Sequence, residues 1–154
     1  MSTKAQRLAQ QLGDLVVGVF RLNGELLAEG DALTRDLGIT SARWQVLGAL
    51  ELAGRPLTVS QIARNMGLAR QSVARIASEL EAGEFVELRE NPDHRTARLV
   101  VATPKGHRAF QAAMRRQSQW GMQVCSAAGV AEKELRDAIS LLERLRGALS
   151  TRTK

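Results

Sequence analysis

The sequence has one cysteine, two histidines and no tyrosine, and no apolar run approaches the roughly 20 residues that a membrane span needs. With Cys125 alone, no internal disulfide framework can form, which excludes a small secreted scaffold and fits a reducing, cytoplasmic setting. His94 and His107 stand far apart in the chain with no clustered Cys, Asp or Glu, so no metal site is expected. Nucleophilic catalysis lacks its parts too. There is no Gly-x-Ser-x-Gly elbow, no glycine-rich phosphate loop and no histidine beside Cys125, so neither an enzyme nor a cofactor is expected. Lys4 and Arg7 precede an apolar stretch, but Asp14 interrupts it and no small-residue cleavage site follows, which argues against a signal peptide.

What the chain does have is arginine. Basic residues outnumber acidic ones 22 to 16, and 18 of the 22 are arginine, whose planar fork of donors suits phosphates and guanine edges. A polyanionic partner is the first expectation. At 154 residues the length suits one domain with helical arms better than two independent domains.

Residues 5 to 29 set Leu8, Leu12, Leu15, Val16, Val19, Leu22 and Leu26 at helical spacing, which predicts a long helix with one apolar stripe. Asn23-Gly24 within it is also a turn signal. The stretch EGDALTRDLGIT reads as a short link to Ser41, the expected N-cap of a helix carrying Trp44, Leu47 and Leu50 and ending near Gly54. Thr58 and Gln61 have the spacing of a capping box, flanked by Leu57 and Ile62 as a hydrophobic staple. Gly67 supplies the left-handed residue that stops this helix, and another runs from about Ala69 to Gly83, a second C-terminal stop.

Two short helices joined by a tight glycine-containing turn are the helix-turn-helix pattern. EFVELRE and TARLVVA then alternate with period two, placing Val86 and Leu88 opposite Leu99 and Val101 in a two-stranded hairpin. Thr103 and Pro104 restart a helix as cap and first residue, with a stripe of Phe110, Ala113, Met114, Gln117, Gly121 and Val124. After Gly129 a last helix carries Leu135, Ala138, Ile139, Leu142, Leu145 and Leu149 on one face.

The helix from Ala69 to Ala82 divides cleanly in cross-section. Val73, Ile76, Ala77 and Leu80 form a core face, while Arg70, Gln71, Ala74, Arg75 and Ser78 form the other, with no acid before Glu79. Arginine pairs with guanine O6 and N7 and glutamine with adenine N6 and N7, so this face has the inventory of a major-groove reader. The hairpin that follows ends in Pro92, Asp93, His94 and Arg95. A ribbon too short to be a stable sheet alone, with a basic tip, reads as a wing that reaches the flanking backbone or minor groove. Arg95 is the expected minor-groove contact and Asp93 an orienting partner for Arg95 or Arg98.

This order of elements resembles the MarR family of winged helix-turn-helix regulators. The resemblance covers nearly the whole chain through LGITSARWQVLGAL, LTVSQIARNMGLARQSVARIASELEAGEFVEL and NPDHRTARLVVATPKG, most specifically in the Leu80-Glu81-Ala82-Gly83 helix end and the Asp93-x-Arg95 wing. Ala102-Thr103-Pro104 and Phe85-Val86 depart from the family's usual Leu-Thr and Leu-Ile.

The implied fold is mainly α with a small β-hairpin wing, as a single domain over 1–154: a winged helix-turn-helix core at 40–103 with dimerisation helices at 5–35 and 104–150. The implied function is a homodimer on a pseudo-palindromic operator in double-stranded DNA, acting as a transcriptional regulator. In that reading Arg70, Gln71, Ser72 and Arg75 meet bases or nearby phosphates. Thr58, Gln61 and Arg64 sit on phosphates, His94 and Arg95 occupy the wing tip, and Arg98 supports it.

Family members bind small phenolic or anionic effectors, and Arg21, Arg43, Trp44 and His107 are the candidates for such a site here, with Trp44 first of all a core residue. Peroxide-sensing members use a cysteine near the N-terminus supported by tyrosines, whereas Cys125 is late on an apolar helix and expected to be inert. The rival reading is a winged-helix protein-interaction module that binds an acidic partner with the same helix face.

Overall fold

The computed structural model describes residues 3–94 and 96–152, which fall into two compact units, Met1–Met114 and Arg115–Lys154. Helix α1 (Lys4–Thr34) starts at a capping box between Thr3 and Gln6, and its apolar spacing carries it straight through Asn23-Gly24, so the local turn signal loses to the stripe. It also continues through residues 29 to 34, which the sequence assigns to a link. The connection is shorter than expected, a 3-10 turn at Arg35–Leu37.

Helix α2 (Ser41–Ala53) is capped by Thr40, not Ser41. The Thr40 hydroxyl accepts from the Arg43 amide at 3.3 Å, while the Ser41 amide donates to Asp31 Oδ1 at 2.6 Å. Ser41 is therefore a buried contact between α1 and α2.

Strand β1 (Leu57–Thr58) leads into α3 (Val59–Met66), a turn, α4 (Arg70–Ala82), β2 (Val86–Arg89), β3 (Leu99–Ala102) and the first part of α5 (Pro104–Ala128). The sheet has three antiparallel strands in the order β1-β3-β2, where the sequence predicts two, because the pair of residues before α3 adds to the free edge of β3. The register also differs by one from the expected one. Val86 pairs with Ala102 and Leu88 with Val100, so Val100 is the buried strand residue while Leu99 and Val101 are half-buried. A one-residue shift exchanges the faces of a strand, and because LVVA is apolar at every position its pattern does not fix which face turns to the core.

The core of the first unit joins α2, α3, α4 and the sheet through Val46, Leu47, Leu57, Ile62, Val73, Leu80 and Val100, none more than 1% exposed. Burying each such side chain contributes about 1.5 to 3 kcal/mol before entropy is counted. Leu57 and Ile62, the staple pair, both lie in this cluster.

The turn after α4 differs from the expected stop. Gly83 sits at φ −85°, and the left-handed residue is Glu84 at φ +61°, an uncommon conformation for a side chain of that kind. Thr103 caps α5 as expected, with its hydroxyl accepting from the Gly106 amide at 3.1 Å. A Cβ on Gly106 would stand 2.1 Å from the Phe85 carbonyl oxygen, so only glycine lets α5 start this close to β2.

In the second unit the remainder of α5 ends at Gly129, left-handed at φ +63°, and α6 (Glu132–Arg152) follows. Leu135, Ile139, Leu142 and Leu149 are exposed along α6, as are Leu8, Leu12, Val16, Val19, Leu22 and Leu26 along α1 of the first unit.

Candidate nucleic-acid interface

Helix α3 begins where its sequence says it should. The Thr58 hydroxyl accepts from the Gln61 amide at 3.3 Å, and Gln61 Oε1 accepts from the Thr58 amide at 2.8 Å, closing the capping box. Gly67 at φ +66° turns the chain, and the Leu68 amide donates to Ala63 O at 2.9 Å. This tight corner aims α4 with Val73, Ile76, Ala77 and Leu80 into the core and Arg70, Gln71, Ser72, Ala74, Arg75 and Ser78 into solvent. The first turn of α4 holds no acid, and its unpaired amides add positive potential beside Arg70.

Three hollows lie about the α3–α4 corner and the wing. One of about 620 Å³ lies between the start of α3 and the wing, lined by Thr58, Ser60, Gln61 and Arg64 on one side and Asn91, Asp93 and His94 on the other. A second, about 250 Å³, lies between α4 and the wing and is lined by Arg70, Ala74, Ser78, Thr96 and Arg98. A third, about 570 Å³, runs along the α3–α4 corner past Arg64 and Arg70. Arg64 and Arg70 each border two of them, so the expected phosphate-side and base-side residues share one concave surface.

Ser60, absent from the expected site, lines all three. Its signal was its place in the first turn of a capped helix, one residue before Gln61.

The wing loop is braced from within. Asn91 Nδ2 donates to Ala97 O at 3.0 Å, the Asp93 amide donates to Asn91 Oδ1 at 3.0 Å, and His94 Nδ1 meets the Thr96 hydroxyl at 3.2 Å. Arg98 Nη2 donates to the Leu88 carbonyl, which fastens the wing's base across its two strands. Arg95, the expected minor-groove contact, lies outside the described residues, and so does any pairing of it with Asp93.

The MarR family model matches residues 37–95, the span from the 3-10 turn to the wing tip. The uncharacterised protein Rv2011c of Mycobacterium tuberculosis is 43% identical over 105 residues, covering 68% of this chain and 72% of that protein. The chain belongs to the MarR family. Its fold is that of Sco5413, a MarR family transcriptional regulator from Streptomyces coelicolor, at TM-score 0.75 and 24% identity over 91% of this chain and 96% of that one. The Staphylococcus aureus MarR solved in complex with salicylate and kanamycin aligns at TM-score 0.76 and 14% identity, covering 96% of both chains.

The four residues expected around an effector in this MarR-family chain are not brought to one place. Arg43 is bound to Glu79 of α4 through Nε at 3.3 Å and Nη2 at 3.2 Å, and it also reaches Gly38 O at 3.5 Å. His107 pairs through Nδ1 with Glu51, eight residues farther along α2, or roughly 12 Å by helical rise. The hollow that His107 lines, about 230 Å³ between α2, β3 and the start of α5, includes none of the other three. Trp44 is half-buried against the core and Arg21 is exposed on α1.

Glu79 is the one carboxylate at the edge of the α4 outer face, and both of its oxygens are engaged. Oε1 accepts from Arg75 Nη1 at 2.5 Å and Oε2 from Arg43. Partial burial pushes its carboxyl up, and the Arg43 and Arg75 guanidinium groups together outweigh that and hold it below the usual carboxylate range. Among the described residues no three His, Cys, Asp or Glu side chains gather as metal ligands, and no helix is long and apolar enough to cross a membrane.

Proposed function

We propose that this MarR-family protein is a sequence-specific regulator of transcription that binds double-stranded DNA as a homodimer on a pseudo-palindromic operator, acting as a repressor in the cytoplasm. The observation that carries the reading is the solvent face of α4: two exposed arginines, a glutamine and two serines, no acid in the first turn, and hollows on both flanks. Set into a major groove, Arg70, Gln71, Ser72 and Arg75 meet base edges or nearby phosphates. Thr58, Ser60, Gln61 and Arg64 then follow the backbone, while His94 and Arg95 reach the neighbouring minor groove and Arg98 holds the wing's base.

The exposed apolar stripes of α1 and α6 are the surfaces a second copy would cover, which makes 5–35 and 104–150 dimerisation helices around a reading core at 40–103. Two-fold symmetry then sets the half-sites about 10 base pairs apart. The salicylate carried by the Staphylococcus aureus MarR supports a small phenolic or anionic effector as the signal that releases DNA.

The test is selection of bound fragments from random duplex DNA. A recovered inverted repeat, bound with steep salt dependence, is the expected result. Association that is blind to sequence and nearly independent of salt would instead identify a winged-helix module for an acidic protein partner.

A further inference from the structure

Glu79 poses a problem for a helix that reads DNA. A carboxylate at the edge of the reading face repels phosphate, and it stands four residues after Arg75, the order that runs against the helix dipole and gives the helix least support. Its geometry gives it another use. One carboxylate divides its oxygens between two helices, Oε2 to Arg43 of α2 and Oε1 to Arg75 of α4. Arg43 is itself tied to Gly38 O at the corner before α2, so the carboxylate is held at a fixed point of the core domain. Arg75 remains 68% exposed, with one terminal nitrogen bound and its other donors open to a ligand.

We propose that Glu79 is a positioning residue, which with Arg43 fixes the plane of the Arg75 guanidinium so that its free edge reads a single base step. This rests on the proposed DNA-binding role and names how that site gains specificity. A freely rotating arginine head at this position meets phosphates and several base edges alike. A head clamped on one nitrogen presents its remaining donors in one direction, which suits the paired O6 and N7 acceptors of guanine. The clamp also neutralises the acid, so the reading face keeps a net positive charge with Glu79 present.

The experiment compares wild type, Glu79→Gln and Arg43→Met by selection from random duplex DNA, followed by titration of the selected operator and its single-base variants, with melting curves to show that each variant is folded. Glu79→Gln is expected to lower discrimination at one base step per half-site by about tenfold, the worth of a good bidentate contact, with the other steps unchanged. Arg43→Met, a change on a different helix, should weaken the same step. The double variant should be no worse than the more affected single one.

Glu79→Gln that tightens binding to every sequence by a common factor would overturn the inference, leaving Glu79 as a simple repulsive charge. An unchanged profile would overturn it as well. Failure of the wild type to select any sequence would instead overturn the DNA-binding reading itself.

Discussion

Helices α4 and α6 are both amphipathic and both rich in charge, and they spend it differently. On α6, Arg136 pairs with Glu132, Lys133 with Asp137 and Arg146 with Glu143, each within one turn, so much of the helix's basic charge is cancelled where it stands. On α4 the acids come late. Glu79 is drawn off by Arg43 as well as Arg75, and Arg70 and Gln71 face solvent with no acid beside them. A solvated helix face balances its charges locally, whereas a face meant for a polyanion keeps one sign at its leading end. Counting arginines does not separate the two helices; the location of the acids does.

That contrast can be broken outright by giving α4 the pattern of α6. Exchanging Arg70 and Arg75 for Glu should reduce affinity for a selected operator by about 100-fold or more, read by fluorescence anisotropy, because two charges on the proposed duplex-facing side of α4 change sign. A finer cut separates helix from wing. Arg75→Ala should cost about 1 to 3 kcal/mol at one operator position, whereas Arg95→Ala should weaken all sequences alike and reduce the slope of log affinity against log salt by about one.

On α6 the opposite holds. Glu132→Gln should leave operator binding unchanged and lower stability by no more than about 0.5 kcal/mol in denaturant titration, as for other exposed helical pairs. The smallest effect concerns acid. Because its arginines hold the folded Glu79 carboxyl below its ordinary range, its contribution to stability is present above that range and fades as pH falls through the lowered value. The stability gap between wild type and Glu79→Gln should therefore narrow on acidification, and a gap that widens would contradict the pairing seen here.

Much of the helix-turn-helix segment was legible in the sequence because its signals are local. Thr58, Gln61 and Gly67 sit within ten residues of one another and dictate two helix ends and a turn with almost no help from the rest of the chain. The core face of α4 followed from spacing alone. The hairpin register was not legible, since in the run Leu99-Val100-Val101-Ala102 apolarity cannot choose between odd and even positions, and the choice is made by what lies beneath. Strand β1 is two residues long and has no period to detect.

Thr40 and Ser41 are adjacent hydroxyls, and only the position of Asp31 decides which one caps α2. The partner of Arg43 was not legible either. Its partner Glu79 lies 36 residues away on another helix, a distance over which no local spacing pairs two residues, and the family resemblance brought Arg43 forward only as an effector-site candidate. Nor could sequence foresee that Ser60 would border three hollows at once, because that depends on how the α3–α4 corner meets the wing.

The strained corner at Glu84 has a mechanical consequence. The Thr103 hydroxyl donates to Glu84 O at 2.7 Å and lies 3.1 Å from Phe85 O, while the Phe85 amide donates to Leu80 O at 2.9 Å. The last turn of α4, the first residue of the ribbon and the cap of α5 thus share one knot of hydrogen bonds around a backbone already bent to φ +61°. Any tug on the start of α5 is delivered at that knot, where α4 and the hairpin diverge. The angle between α4 and the hairpin, and with it, in the proposed DNA-bound arrangement, the length of duplex that both could span, is therefore set by a handful of atoms at this turn.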